Sequence, residues 1–365
     1  MYKTKPNFSL LKTKQHFEIL DGLRGIAAIA VLIFHFMEIA TPDYHDNFIA
    51  HSYLAVDFFF CLSGFVIAYA YDNKMDSIGF ISFLKLRLIR LHPLVIIGSI
   101  IGLLGFLYDP FSDLYKEFSL IQIALMFASS SLLIPYPAVP ERYFNLFHLN
   151  PPTWSLFWEY IANISYALFL YKFRNKILWC LTGIAALALC YEAYRSNYLG
   201  VGWGADNIRG GGIRISYSFL VGMLVYRSNW VIKNRLGFIL LGSLLAITFF
   251  IPFSEKINWV LDPFIVIFYF PFLIVLGVGV NVPSSSNNIC KFLGDISYPL
   301  YMIHYPFIWI FMSYVEQFHP TWSQLRIIVL LAVITIIIFA YFVFRVLDLP
   351  IRTYLKNKFK RDWDK

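Results

Sequence analysis

The stretch DGLRGIAAIAVLIFHF sets two ionisable side chains, Arg24 and His35, in otherwise apolar surroundings. Their spacing of 11 residues is close to three helical turns, so a helix projects both from nearly one face, ~16 Å apart along its axis. An imidazole is suited to taking a proton from a hydroxyl near neutral pH. Asp57 stands near the start of AVDFFFCLSGF, where it could meet a histidine on a neighbouring helix, and Ser63 and Gly64 follow it. PPTWSLFWEY reads as a helix start holding Trp154 and Ser155, with Glu159 about two turns in. FLKLRLIRLHP puts Arg87 and Arg90 at i and i+3, on one face, a pairing suited to bidentate grip of phosphate. His304 lies in ISYPLYMIHYPF between Pro299 and Pro306. Ionisable groups in apolar stretches are costly and point to function by default. Together these residues fit a reaction joining a phosphorylated donor, held by arginines at the cytoplasmic end, to an acceptor near the far side.

Each residue also has a plainer use. Arg24 can snorkel to headgroups, and His35 and His304 can bond neighbouring helices. Asp57 can cap a helix. Arg87 and Arg90 can anchor a helix end at lipid phosphates, and Glu159 can pair structurally with an arginine such as Arg214. Ser63 and Gly64 can simply let two helices approach closely.

The elements that must position these groups are membrane helices. The chain has 365 residues, is 59% hydrophobic and only 14% charged, with mean hydropathy +0.63. Soluble domains carry about 25% charged residues, so a water-soluble globule, a disordered chain and a fibrous repeat are excluded. Apolar runs near 22–40, 52–71, 93–108, 153–171, 177–194, 212–226, 236–252, 263–280, 296–314 and 326–345 predict an all-α polytopic membrane protein of about ten helices. A further run, 119–135, is interrupted by Ser129, Ser130 and Ser131 and ended by Pro135 and Pro137. If it does not span, 23 of the 30 Lys and Arg fall on the cytoplasmic side; if it does, the split is 15 to 15. The positive-inside rule therefore favours both termini in the cytoplasm and a re-entrant or interfacial segment over 119–152 that shapes a pocket.

The net charge of +8 is then a topology signal and a means of contact with membrane lipids, not with nucleic acid. Cys61, Cys180, Cys190 and Cys290 form no CxxC, so neither a disulfide framework nor a metal site is expected. The N-terminus is too polar for a cleavable signal, and the first helix should act as an uncleaved anchor. The expected organisation is one membrane domain over 1–365, with a cytoplasmic segment at 1–19 and a basic cytoplasmic tail at 346–365.

Six stretches in order, LDGLRGIAAIAVLIFHF (20–36), VDFFFCLSGFVIAY (56–69), FLKLRLIRLHP (83–93), NPPTWSLFWEYI (150–161), IRISYSFLVGM (213–223) and LGDISYPLYMIHYPF (293–307), give the chain its likeness. It resembles the acyltransferase 3 family of integral membrane O-acyltransferases of the cytoplasmic (inner) membrane. The family pattern of a basic residue, ten residues and a histidine is met by Arg24 and His35, and its pair of arginines by Arg87 and Arg90. Departures are Phe157, where a small residue is common, and Asp348, where glutamate is commoner. The resemblance implies a cytoplasmic acyl-CoA donor, usually acetyl-CoA, no metal, and an acceptor hydroxyl on a surface or exported glycan or lipid-linked saccharide. It makes His35 the catalytic match. Some members carry an extra SGNH-type domain; this chain ends twenty residues after its last expected span and would act alone or with a separate partner.

On this reading Asp57 and Glu159 assist His35, and Arg24, Arg87 and Arg90 hold the donor's phosphates. The acceptor enters from the outer side past Glu159 and the 119–152 segment. His35 serves either as a general base or as a nucleophile forming an acyl-imidazole. Three other classes compete. A proton-coupled transporter uses the same residue types but would be expected to show internal repeats. A lipid-linked glycosyltransferase could use Asp43 and Asp46 but has no need of arginines at a cytoplasmic entry. A scaffold leaves the ionisable pair on the first helix without a purpose.

Overall fold

The computed structural model describes residues 16–280 and 287–363. Most of the expected N-terminal segment 1–19 and of the linker 283–288, and the last two residues of the basic tail, lie outside the described residues. Every named element among them is helical. The helices are α1 (Glu18–Ala40), α2 (Ala55–Tyr71), α3 (Phe80–Leu107), α4 (Leu120–Leu132), α5 (Thr153–Leu168), α6 (Asn175–Ser196), α7 (Ile208–Arg227), α8 (Phe238–Phe249), α9 (Glu255–Val278), α10 (Asn287–Ile303), α11 (Tyr305–Phe318) and α12 (Trp322–Val343). The last continues through a π turn, Phe344–Asp348, into α13 (Leu349–Trp363).

Helix occurs at each of the ten apolar runs. Among the described residues, six helical segments are long and apolar enough to cross a membrane: Glu18–Ala40, Ala50–Tyr71, Phe80–Leu107, Asn175–Ser196, Glu255–Val278 and Trp322–Arg361. The run at 119–135 forms the 13-residue α4, opened by a capping box in which Ser119 and Gln122 satisfy each other's backbone N–H groups. Residues 133–152 then run irregularly back toward the bundle.

The core follows from two helix pairs. α1 lies along α10, and α2 along α7. The second pair is close because each helix gives up a side chain: a Cβ on Gly64 would overlap the Phe219 carbonyl oxygen, and one on Gly222 the Cys61 carbonyl oxygen. Gly64 thus serves the close approach read from its sequence. Gly222→Ala must push the two backbones apart. The expected result is a loss of roughly 1–3 kcal/mol, read as a lower apparent Tm of the detergent-solubilised protein.

Two boundaries differ from the sequence reading. α3 begins at Phe80 after Gly79 and runs through Pro93, well before the apolar run at 93–108, so Arg87 and Arg90 lie not at a helix end but two to three turns inside a 28-residue helix. Conversely, the run 296–314 is broken at His304. Pro306 has no N–H to offer the Met302 carbonyl one turn back. The Asn150 side-chain amide donates to that carbonyl instead, at 2.8 Å.

Candidate active site

Two cavities lie in line along α1. The first, about 600 Å³, opens at the Glu18 end and contains Arg24, Arg87, Arg90, Ser63, Ser155 and Glu159. The second, about 340 Å³, lies toward the Ala40 end and contains His35, Trp154 and Arg214. The 11-residue spacing therefore does put Arg24 and His35 on one side of α1, but in separate chambers.

In the first cavity the arginines are partly engaged. Arg24 donates to Ser297 Oγ at 2.8 Å and to the Gly294 carbonyl at 2.9 Å, and pairs with Asp21 at 3.0 Å. Arg87 is buried and donates to Glu159 Oε1 at 3.2 Å, an oxygen that also accepts from Ser63 Oγ at 2.6 Å. Arg90 makes no hydrogen bond or ion pair among the described residues. Lys291 and Arg352, not singled out from sequence, line the same space, Arg352 pairing with Asp348 at 2.8 Å. Among the described residues, Arg90 and Lys291 are the basic lining groups outside an ion pair, so the chamber can accept an anion without breaking its four internal pairs, His16–Asp21 included.

Glu159 is not where the sequence suggested. It does not share the chamber of His35 and does not pair with Arg214; it faces Arg87 in the first cavity. The reason is depth. α5 starts at the second cavity, and Glu159 is six residues further down, ~9 Å, while Arg87 rises about two turns into α3 to meet it.

Asp57 likewise meets no histidine. It is fully buried and takes a fork of bonds from Arg214, Nε at 3.1 and 3.2 Å and Nη2 at 2.6 Å. Arg214 also donates to the Val201 and Tyr53 carbonyls, each at 2.8 Å, and lies over the Trp154 ring, 5.4 Å from its centroid.

His35 is held from both sides. Its Nδ1 is 2.5 Å from Glu38 Oε2, and Tyr44 donates to Glu38 Oε1, also at 2.5 Å. Burial, then the adjacent Glu38 carboxylate, holds the Tyr44 phenol well above its ordinary range, so it remains a donor. The carboxylate keeps the ring proton on Nδ1 and leaves Nε2 with a free lone pair. The His304 ring stacks on His35 with centroids 5.4 Å apart, and Tyr305 meets it edge-on at 4.7 Å. His304 is itself fixed by its Nδ1–H donating to the Leu300 carbonyl at 3.0 Å. Glu38 escaped the sequence reading, although its i+3 spacing from His35 was the available signal. Tyr143, Asn145, Pro151 and Pro152 from the irregular segment wall this chamber, which gives 133–152 its pocket-shaping place.

A histidine oriented by a carboxylate, beside a chamber rich in arginine, is a constellation for moving an acyl or phosphoryl group. The comparisons decide between these. The family Acyl_transf_3, described as an acyltransferase domain, matches residues 17–345. The chain belongs to this acyltransferase family. It is an acyltransferase of the multi-pass membrane type, consistent with its six long apolar helices. Among curated proteins it is similar to "Protein 2 in picA locus" of Rhizobium radiobacter, 33% identical over 189 residues, covering 49% of this chain and 95% of that protein. It is similar to "Putative O-acetyltransferase SACOL0978" of Staphylococcus aureus (strain COL), 26% identical over 381 aligned positions, covering 96% of this chain and 60% of that protein. It is also similar to "Acyltransferase MdmB" of Streptomyces mycarofaciens, 29% identical over 194 residues, covering 49% of this chain and 46% of that protein. The chain thus spans less than two thirds of the length of the last two. No solved structure matches it.

Proposed function

We propose that this acyltransferase moves an acyl group, most simply acetyl, from cytoplasmic acyl-CoA to a hydroxyl of a surface or exported glycan, through a bundle of about ten spans in the cytoplasmic membrane with both termini inside. The observation that carries this reading is the alignment of the two chambers: arginines at the Glu18 end of α1, and the His35–Glu38 pair ~16 Å further along. That separation suits a donor whose phosphates and thioester are far apart.

Arg90 and Lys291 bind the donor's phosphates, with Arg24 and Arg87 behind them. His35 Nε2 takes the acceptor's hydroxyl proton as its oxygen bonds to the thioester carbon. The carbon–sulfur bond breaks, and the proton leaves with the thiolate as free thiol. Glu38 stabilises the imidazolium formed in between, as the buried carboxylate does in hydrolase triads. Glu159 and Ser63 hold Arg87 in place, and Asp57 holds Arg214 at the acceptor chamber.

Arg90→Ala is the cleanest test of the donor site, because Arg90 supports no other side chain. The expected result is a rise of about tenfold in KM for acyl-CoA, the worth of one charge-assisted hydrogen bond, with KM for the acceptor unchanged. An equal change in both would reject the assignment. The function itself is tested by following label from acetyl-CoA into surface glycan in membranes carrying the chain. Wild-type membranes should transfer label, and absence of transfer to any glycan fraction would reject the reading.

A further inference from the structure

The two chambers are distinct, yet two side chains line both of them: Val56 on α2 and Tyr301 on α10. Tyr301 is buried and spans the boundary. Its hydroxyl lies 2.8 Å from Ser155 Oγ, and Ser155 donates its own proton to the Pro152 carbonyl at 2.9 Å. A serine hydroxyl has one proton to give, so the Tyr301 O–H is the donor of the shared bond. The ring meets Phe59 edge-on, centroids 5.6 Å apart, and lies beside His304, 6.0 Å away. Tyr301 also stands in the last turn of α10, directly before the break at His304, where the helix ladder is interrupted. One hydroxyl contact on a side chain next to a helix break is a partition that can yield.

We infer that Tyr301, latched to Ser155 and facing Val56, is the partition between the donor and acceptor chambers and sets the length of acyl chain that can reach His35. The inference rests on the proposed donor site at the Glu18 end. The thioester must cross this wall to meet the imidazole, so the room released when Tyr301 yields limits the acyl group. A two-carbon chain needs little room; a six-carbon chain must displace the ring and Val56 as well. Discrimination by a snug apolar wall runs at about 10–200-fold per methylene, so a narrow wall suffices for strong selectivity.

Two measurements test this in the full-length chain with Cys180 and Cys190 replaced by serine. The first is the ratio of hexanoyl to acetyl transfer. It should rise by about tenfold or more in Tyr301→Ala and by a smaller factor in Val56→Ala, as methylene-scale room is released. The second needs no acyl transfer. Val31→Cys lines the acceptor chamber. In inside-out vesicles a charged, membrane-impermeant methanethiosulfonate should leave this cysteine unlabelled when Tyr301 is present and label it in the Tyr301→Ala background. Labelling that is equal in both backgrounds overturns the partition. Labelling that opens while the chain-length ratio stays fixed overturns its role in selectivity. Should Tyr301→Ala fail to fold, Val56→Ala supplies both readouts from the other side of the wall. If wild-type protein transfers no acyl group at all, the proposed function falls, whereas the labelling result still decides the partition.

Discussion

His35→Ala is expected to lower acyl transfer by about 10³-fold, within the range that a positioned general base contributes. The loss should appear in kcat, with KM for acyl-CoA close to that of the wild type, because the arginine chamber lies on the other side of Tyr301. Fold should be retained: the ring is only partly buried, and its removal opens space in a chamber that is already hollow. Glu38→Gln is the informative companion. An amide can present its N–H₂ to Nδ1, which would move the ring proton to Nε2 and remove the base. A kcat loss of about 10²-fold is expected for the wrong tautomer. Steady-state kinetics on purified variants, with apparent Tm as the folding control, would check both. Wild-type kcat in His35→Ala would remove the imidazole from the reaction, and a structural role alone would lower Tm together with activity.

Much of the architecture was legible because membrane helices are written in local composition: each long apolar run became helix, and three-turn spacing put Arg24 and His35 on one side of α1. The likeness of six stretches to one family was legible for the same local reason. What was not legible depends on pairing across the chain. Asp57 and Arg214 are 157 residues apart, and Arg87 and Glu159 are 72 apart. Sequence gives each side chain but not its depth, so neither carboxylate's partner follows from it. Pro93 shows the same limit from the other direction. A proline usually suggests a helix boundary, yet α3 continues through it, so Arg87 and Arg90 lie in the helix interior and not at a helix end. The break at His304 is the intermediate case: Pro306 lies in the local sequence, but only Asn150, 152 residues from Met302, explains how the opened Met302 carbonyl is satisfied. Glu38 is legible locally, one turn beyond His35 on the same helix, where i+3 spacing brings the two side chains together.

Asp57→Ala is expected to cost about 3–5 kcal/mol, since it strands a buried guanidinium without its counter-charge. That is a large part of the about 5–15 kcal/mol that holds a typical protein folded. The apparent Tm should fall by roughly 10 °C and the yield of monodisperse protein should drop. Arg214 does more than neutralise Asp57. Through its bonds to the Tyr53 and Val201 carbonyls it fastens the turn before α2 and the loop before α7 to the helix carrying it, and these segments surround the acceptor chamber. The double variant Asp57→Leu, Arg214→Met separates the contributions. Replacing both charges with apolar groups removes the desolvation cost along with the attraction, so stability should return toward wild type. Activity should not, because the chamber loses the guanidinium that lines it and the two carbonyls lose their donor. If Asp57→Ala instead keeps its Tm and loses only kcat, Asp57 acts in the chemistry directly, and the Arg214 fork serves to tune it for that role.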